Sequence, residues 1–338
     1  MQKHFAGFGV GFSSGLETRT IARLASQADR TGLSHFWLAE SYHLRSAIVN
    51  AAAVAAATDR IRFGVGIISP YTRHPGLIAM EATTLDEYSG GRFHLGLGAA
   101  SRALRDYGID LGRLKPVDVM RSTVQTVRAL LNGETVTREG SSFRIPPPGV
   151  KLGLRPSRKI PIYVGATGPG MLRLAGELAD GLFITYSCSP SFIRYALEEM
   201  GKGAAKTHRN PREIDVQAYL ILSISKDPAV AAKAAKQFLA TYIPRIHPAM
   251  LTHLGIARET IDGAVAGLAK GGNPENVVSD ELVEKLAIAG TPEACVERMS
   301  DYLDTGLKVP VAYHVLGPSR EEALGLLANE VVPHLVQR

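Results

Sequence analysis

The sequence predicts an α/β fold, a (β/α)8 TIM barrel, on three observations. Short apolar runs alternate with helical stretches from end to end of the 338 residues, and eight such runs can be counted. Several of them are apolar almost throughout, the pattern of strands buried on both faces of a parallel sheet. The composition, 45% hydrophobic and 21% charged, is that of an ordinary globular chain, too apolar for disorder.

The strands are placed at 8–12, 35–40, 61–68, 93–98, 160–166, 182–186, 216–223 and 309–316, all rich in Val, Ile, Phe and Tyr. Helices fill the gaps. The first, 16–31, gathers Ile21, Leu24, Ala25 and Ala28 on one face and stops at Gly32, a C-terminal cap. An alanine-rich helix at 46–58 follows, then one at 75–88 that opens with proline in its first turn and ends before Gly90-Gly91. Further helices are read at 117–131, 170–179, 190–200, 228–242, 292–303 and 319–334, several opening on Ser-Pro, Asp-Pro or Thr-Pro. The spacing is uneven. About 60 residues separate strands 4 and 5, part helix and part a Pro-rich loop around Pro146-Pro147-Pro148. About 85 separate strands 7 and 8, including 245–289, which reads as an all-helical insertion. The expectation is one domain, 1–338, with insertions after strand 4 and before strand 8. A doubly wound sheet is the alternative, but Gly7-Phe8-Gly9-Val10-Gly11-Phe12 does not complete the GxGxxG usual after its first strand.

Several function classes drop out. The two cysteines, Cys188 and Cys295, lie far apart, so neither a disulfide framework nor a zinc ribbon is expected. No run reaches about 18 apolar residues and no signal-peptide stretch opens the chain, so a reduced, cytoplasmic protein without a membrane span is expected. Net charge is +6, 38 basic against 32 acidic residues. The basic residues are scattered and carry no reading motif, which argues against nucleic acid. The small excess suits a solvated surface or an acidic ligand such as a phosphate ester, and its densest group is Arg155, Arg158 and Lys159. No GxxxxGK[ST] and no HExxH occur, and no metal site is expected. Gly11-Phe12-Ser13-Ser14-Gly15 matches GxSxG, but it follows strand 1 and reads as a turn rather than a nucleophile elbow.

Barrel enzymes work at the carboxyl ends of their strands. Strand 2 ends at Glu40, Tyr42 and His43, strand 3 at Ser69, Tyr71, Arg73 and His74, and strand 4 at Gly98, Ala99 and Ser101. Strand 5 runs into Gly165-Ala166-Thr167-Gly168-Pro169-Gly170-Met171, a small-residue loop leading straight into a helix. Free backbone N–H groups and the helix dipole make such a start an anion seat. Arg73 and His74 could bind substrate or cofactor, or could pair with a carboxylate and pack under the loop. Glu40 should face the pocket or bridge the barrel mouth. Glu40, Arg73, Ser101 and Gly165 should share one rim.

Taken in order, these strand ends resemble the bacterial-luciferase-like superfamily. Within it the chain is similar to the methylenetetrahydromethanopterin reductase branch, which uses the deazaflavin coenzyme F420. The likeness is carried by Gly64-Val65-Gly66-Ile67-Ile68-Ser69-Pro70-Tyr71-Thr72-Arg73-His74-Pro75, by Thr84-Leu85-Asp86-Glu87-Tyr88-Ser89-Gly90-Gly91-Arg92 and Leu95-Gly96-Leu97-Gly98, by Ile160 through Pro169, and by Gly290-Thr291-Pro292 and Gly317-Pro318. The resemblance implies a barrel, often a homodimer, that holds F420 (or, alternatively, FMN) over the strand ends and transfers hydride to or from a small-molecule substrate. It implies a cis peptide at Gly66-Ile67 and a cofactor phosphate on 165–171. The cofactor cradle is then Glu40, Gly66, Ile67, Ser69, Gly98, Ala99, Gly165, Ala166, Thr167, Gly168, Pro169, Gly170 and Met171. Arg73 or His74 would steady developing charge, and His43 or Tyr71 would handle a proton. Two departures stand out. Where the methylene reductases carry a strand 1 glutamate, this chain has Gly11, and where they carry an aspartate after strand 4, it has Ser101. Trp37-Leu38-Ala39-Glu40 looks more like the FMN-dependent monooxygenases, the second reading. A flavin-binding protein without catalysis is the third.

Overall fold

The structure is a computed structural model that describes residues 5–99, 103–109, 115–140, 142–186 and 188–336. Eight parallel strands close into a barrel: β1 (Gly9–Ser13), β2 (His35–Ala39), β3 (Arg62–Ile68), β4 (Phe93–Gly98), then, past a hairpin made of β5 (Val136–Glu139) and β6 (Arg144–Val150), β7 (Ile162–Gly165), β8 (Gly181–Ile184), β9 (Asp215–Ile224) and, past the short β10 (Ile288–Gly290), β11 (Val309–Leu316). The ring runs β1-β2-β3-β4-β7-β8-β9-β11 and closes on β1 through Gly9↔Val311 to Gly11↔Tyr313. All eight expected strands are present, and β4 and β11 match to the residue. Helices pack outside. Gly32, at φ +79°, ends the first of them as a side chain with a Cβ could not easily do.

Two expectations need correction. The Pro-rich stretch is not loop: Pro146, Pro147 and Pro148 lie in β6, paired antiparallel with β5 from Val136↔Val150 to Glu139↔Arg144. Proline lacks an N–H, but in a two-stranded ribbon each strand has a free edge, so the sequence signal for loop misleads here. Nor is 245–289 wholly helical. Short helices at Pro248–Leu251, Arg258–Ala269, Pro274–Val277 and Asp280–Leu286 give way to β10. The final helix is also interrupted, by a π turn at Leu327–Val331.

The insertion is anchored by a long strand. β8 pairs with Asp215 to Ala218 of β9, and β10 pairs with the same edge higher up, from Leu222 to Ile224. So β9 carries the ladder past the barrel mouth. The helix that follows it, Pro228–Tyr242, returns to place Phe238 and Tyr242 against Tyr313 of β11.

The lumen is filled unequally from its two sides. Gly9, Gly11, Gly64, Gly66, Gly96 and Gly98 punctuate β1, β3 and β4. Large rings from other strands fill the room: a Cβ on Gly64 would stand 2.6 Å from Trp37, and one on Gly11 would stand 2.3 Å from Tyr219. Lower down, the Trp37 indole N–H donates to Gln217 Oε1 at 2.7 Å, and the Tyr163 hydroxyl donates to Asp215 at 2.6 Å. His35 and His94 are buried beside this network, and burial holds both imidazoles neutral, pushed down to about 3.

Candidate active site

The carboxyl ends of the strands form one rim: Glu40 directly follows β2, Arg73 lies in the loop after β3 and Gly165 is the last residue of β7; Ser101 lies outside the described residues. Its floor is a break in β3. The register with β4 slips between Val65 and Ile68, and the Gly66–Ile67 peptide between them is cis, as the resemblance implied. The Tyr219 hydroxyl donates to the Gly66 carbonyl at 3.4 Å. Ile67 leans over the neighbouring strands. A Cβ on Gly98 would lie 2.6 Å from Ile67 Cγ1, and one on Gly165 would lie 2.8 Å from Ile67 Cγ2. Both glycines therefore have a packing reason for lacking a side chain. Buried Ser69 ties β3 to β4: its hydroxyl donates to the Ala99 carbonyl and accepts from the Tyr71 N–H, each at 3.3 Å.

The charged candidates engage one another. Arg73 lies 3.2 Å from Glu40 Oε2 and 3.4 Å from Glu81 Oε2, while Glu40 Oε1 accepts from the Ala47 N–H at 3.4 Å. Glu40 thus bridges the mouth between β2, the following helix Ala47–Ala57 and the β3 loop. Burial, more than Arg73 can offset, raises the Glu81 carboxyl above its usual range. His74 caps its own helix, Pro75–Tyr88, by accepting the Gly76 N–H on Nδ1 at 3.1 Å, which fixes the proton of the neutral ring on Nε2. His43 stands half in solvent at φ +67°, stacked on Tyr107 at 4.7 Å with Nε2 3.5 Å from Asp106. The Tyr71 hydroxyl is shielded from solvent and has no hydrogen-bond partner among the described residues. Burial raises its pKa, so it stays a phenol.

After β7 the chain turns through Ala166 and Thr167 into the helix Pro169–Leu178. Gly168 is its N-cap, no side chain caps it, and a Cβ on Gly168 would meet nothing within 4 Å. Met171 N–H closes back on the Gly168 carbonyl at 3.1 Å, and a Cβ on Gly170 would stand 3.2 Å from Val117. The helix start is therefore open to an anion at Thr167–Gly168, where the dipole favours one.

On the opposite side of the mouth, Tyr219, Tyr242 and Tyr313 are residues that sequence reasoning missed. Tyr219 packs on Phe183 at 4.6 Å and on Tyr313 at 4.5 Å, Tyr186 stacks on Tyr313 at 5.3 Å, and the Tyr242 hydroxyl donates to that of Tyr313 at 3.3 Å. Burial holds Tyr219 and Tyr313 far above the ordinary phenol range. The two-residue alternation Gln217, Tyr219 and Val311, Tyr313 was the available signal for their inward direction. β11 ends in a second irregularity. His314 and Val315 have φ of +67° and +39°, and the ladder to β9 slips there. Imidazole Nε2 of His314 accepts the Ser13 N–H at 3.3 Å, and burial pushes that ring down to about 3. Among the described residues no group of three or more His, Cys, Asp or Glu could hold a metal, and no helix is long and apolar enough to cross a membrane.

Residues 4–308 match the luciferase-like monooxygenase family. The chain belongs to that family. Its relatives include the 5,10-methylenetetrahydromethanopterin reductase of Methanolobus tindarius, 34% identical over 96% of this chain and 99% of that one. An F420-dependent glucose-6-phosphate dehydrogenase of Microbacterium testaceum is 26% identical over 89% and 86%. The solved structure of the coenzyme F420 dependent tetrahydromethanopterin reductase from Methanopyrus kandleri superposes with a TM-score of 0.91, at 30% identity, over 98% and 99% of the two chains. The luciferase-like barrel inferred from the strand ends is thus the fold and the family of this chain.

Proposed function

We propose that this chain is an F420-dependent oxidoreductase that moves hydride to or from a small organic substrate. The carrying observation is likeness along most or all of the chain to relatives named as F420-dependent, at a TM-score of 0.91 for one of them. The open helix start at Gly168 has the form a cofactor phosphate needs, and it follows Gly165 at the end of β7, on the same rim as Gly98 and the Gly66–Ile67 break.

When bound, the deazaflavin supplies a two-electron hydride donor or acceptor. The chain's own residues do the rest. Thr167, Gly168 and the helix start would hold the phosphate. The Gly66–Ile67 bulge, braced by Gly98 and Gly165 beneath Ile67, would back the ring and fix its height. Tyr186, Tyr219, Tyr242 and Tyr313 keep bulk water from the opposite side, and their neutral hydroxyls offer hydrogen bonds without charge. The Tyr71 hydroxyl, shielded and unpartnered among the described residues, would hold a proton for substrate. Arg73, shared by Glu40 and Glu81, orients the mouth more than it offers a free cation.

On this reading, little or no reduction of a methylene-bridged pterin is expected. Opening a methylene-bridged pterin needs an acid near the carrier nitrogen. Gly11 supplies none, and the Tyr219 ring fills the space where a side chain from β1 would lie. With F420H2 and methylene-tetrahydromethanopterin, turnover should stay below about 1 s⁻¹, the low end for natural enzymes. The test of cofactor is titration with F420 and with FMN, followed by Trp37 fluorescence, beside a Gly168→Glu variant. F420 should bind and Gly168→Glu should abolish binding. FMN binding with oxygen consumption in place of F420 would overturn the proposal in favour of a monooxygenase.

A homodimer is the proposed assembly. Helix Ala47–Ala57 carries no charged residue yet lies outside the barrel, with Val49 exposed, and its neighbour Pro75–Tyr88 exposes Leu77, Met80 and Tyr88. Met80→Glu should convert a dimer to monomer in light scattering.

A further inference from the structure

A second cluster of chemistry lies at the other end of the barrel. Arg155, Arg158 and Lys159, the densest basic group in the sequence, line a cavity of about 260 Å³ together with Arg128, Asn132 and Ser157. Ile160 closes it just before β7, so it opens among the loops that enter the strands, away from the rim at their carboxyl ends.

The lining carries four cations and no carboxylate. Two acids reach it from behind. Asp180 sits between Arg128 and Lys159 Nζ, the latter at 2.5 Å, and accepts the Ile162 N–H at 2.8 Å. Its carboxyl is held below the usual range by these partners against the opposing effect of burial. Asp86 lies buried near Arg158, whose guanidinium donates to the Gly90 carbonyl. At the rim, the exposed Glu134 accepts from the Asn132 amide at 3.3 Å. Among these described residues, four cations over two backing carboxylates leave an excess of two positive charges, and the solvated Glu134 offsets part of it. The helix Pro116–Leu131 ends here, and its negative pole opposes an anion by about 0.3–1 kcal/mol. Its last carbonyls, however, are already taken by the N–H groups of Asn132, Gly133 and Glu134. Guanidinium forks suit phosphoryl oxygens, which they bind in pairs.

We infer that this cavity is a binding site for a phosphate dianion, free or as the terminal group of a phosphate ester, separate from the rim. The inference stands whichever cofactor the rim takes. Isothermal titration at fixed ionic strength in chloride tests it, with inorganic phosphate in one arm and methyl phosphate in the other. Wild type is compared with Arg155→Gln/Arg158→Gln and with Gly168→Glu, which blocks the helix start at the rim. Phosphate should bind wild type with Kd at or below about 1 mM. The double Gln variant should weaken it at least tenfold, while Gly168→Glu retains it. Tighter binding of methyl phosphate would make an ester the source; tighter binding of inorganic phosphate would make it the free ion. No binding to wild type, or binding that survives in the double Gln variant and disappears in Gly168→Glu, would overturn the site. Arg155→Gln alone, in which Arg158 still holds the Gly90 turn, keeps the test valid if the double variant does not fold; it should weaken binding several-fold, and unchanged binding would overturn the site.

Discussion

The two walls of the barrel solve one packing problem in opposite ways. Towards the mouth, the inward positions of β1, β3 and β4 are glycines, with His94 of β4 lower down beside Trp37 and Tyr163. On β8, β9 and β11 they are Phe183, Tyr219 and Tyr313, which reach across into the space the glycines leave. The glycine wall breaks its ladder at Gly66–Ile67, where Gly98 and Gly165 leave room for the Ile67 side chain. The aromatic wall bears the lumen's apolar burial and puts neutral hydroxyls at the mouth. An identity change on one wall is therefore felt on the other.

Removing a ring should cost most. Tyr219→Ala, fully inside, should destabilise by about 3–5 kcal/mol, the range for buried aromatics cut to alanine, in a denaturant titration. Adding a methyl to the facing wall comes next. Gly11→Ala places a Cβ 2.3 Å from Tyr219, and overpacking of this kind costs about 1–3 kcal/mol. In a Tyr219→Ala background the same methyl should cost almost nothing. A double-mutant cycle that gave simple additivity would break the picture of two interlocking walls. It also means that a glutamate at position 11 cannot be accommodated unless Tyr219 is shortened with it.

The third prediction concerns pH. Folded His35 and His94 are pushed down to about 3 from the ordinary 6.5 by burial, with Arg62 adding to it. The unfolded state then binds more protons, so their contribution is complete above pH 6.5 and is lost as pH falls from there toward about 3. His94→Gln should flatten the acid limb of stability against pH. The smallest effect lies on the rim. Gly168 has φ of −84° and an empty Cβ position, so Gly168→Ala should stabilise by no more than about 1 kcal/mol through the unfolded state. Thermal melting would show it.

What could be read from sequence follows the same division. β4 and β11 were legible to the residue because their runs are apolar on both faces and bounded by breakers. β10 escaped because three residues carry no periodicity, and β6 because three prolines mimic a loop. At the site, glycines and strand-end polar residues were visible one by one. A carboxylate partner for Arg73 and a Glu40 bridge across the mouth were among the readings, but the second partner, Glu81, was not, because it sits within the helix after β3 and meets Arg73 only by tertiary packing. Tyr242 was hidden for the same reason: it belongs to a helix that turns back over the mouth instead of running down the barrel's flank.

The overhang of β9 separates what must be kept from what can change. Its lower half belongs to the closed ring, and its upper half offers a paired edge on which β10 and the segment before it are grafted. A graft joined by strand pairing keeps its position while its remaining sequence drifts, since the ladder uses backbone groups alone. Evolution can therefore rebuild the roof over this mouth, and with it the range of molecules admitted, while the eight-stranded ring and its interlocked lumen stay as they are.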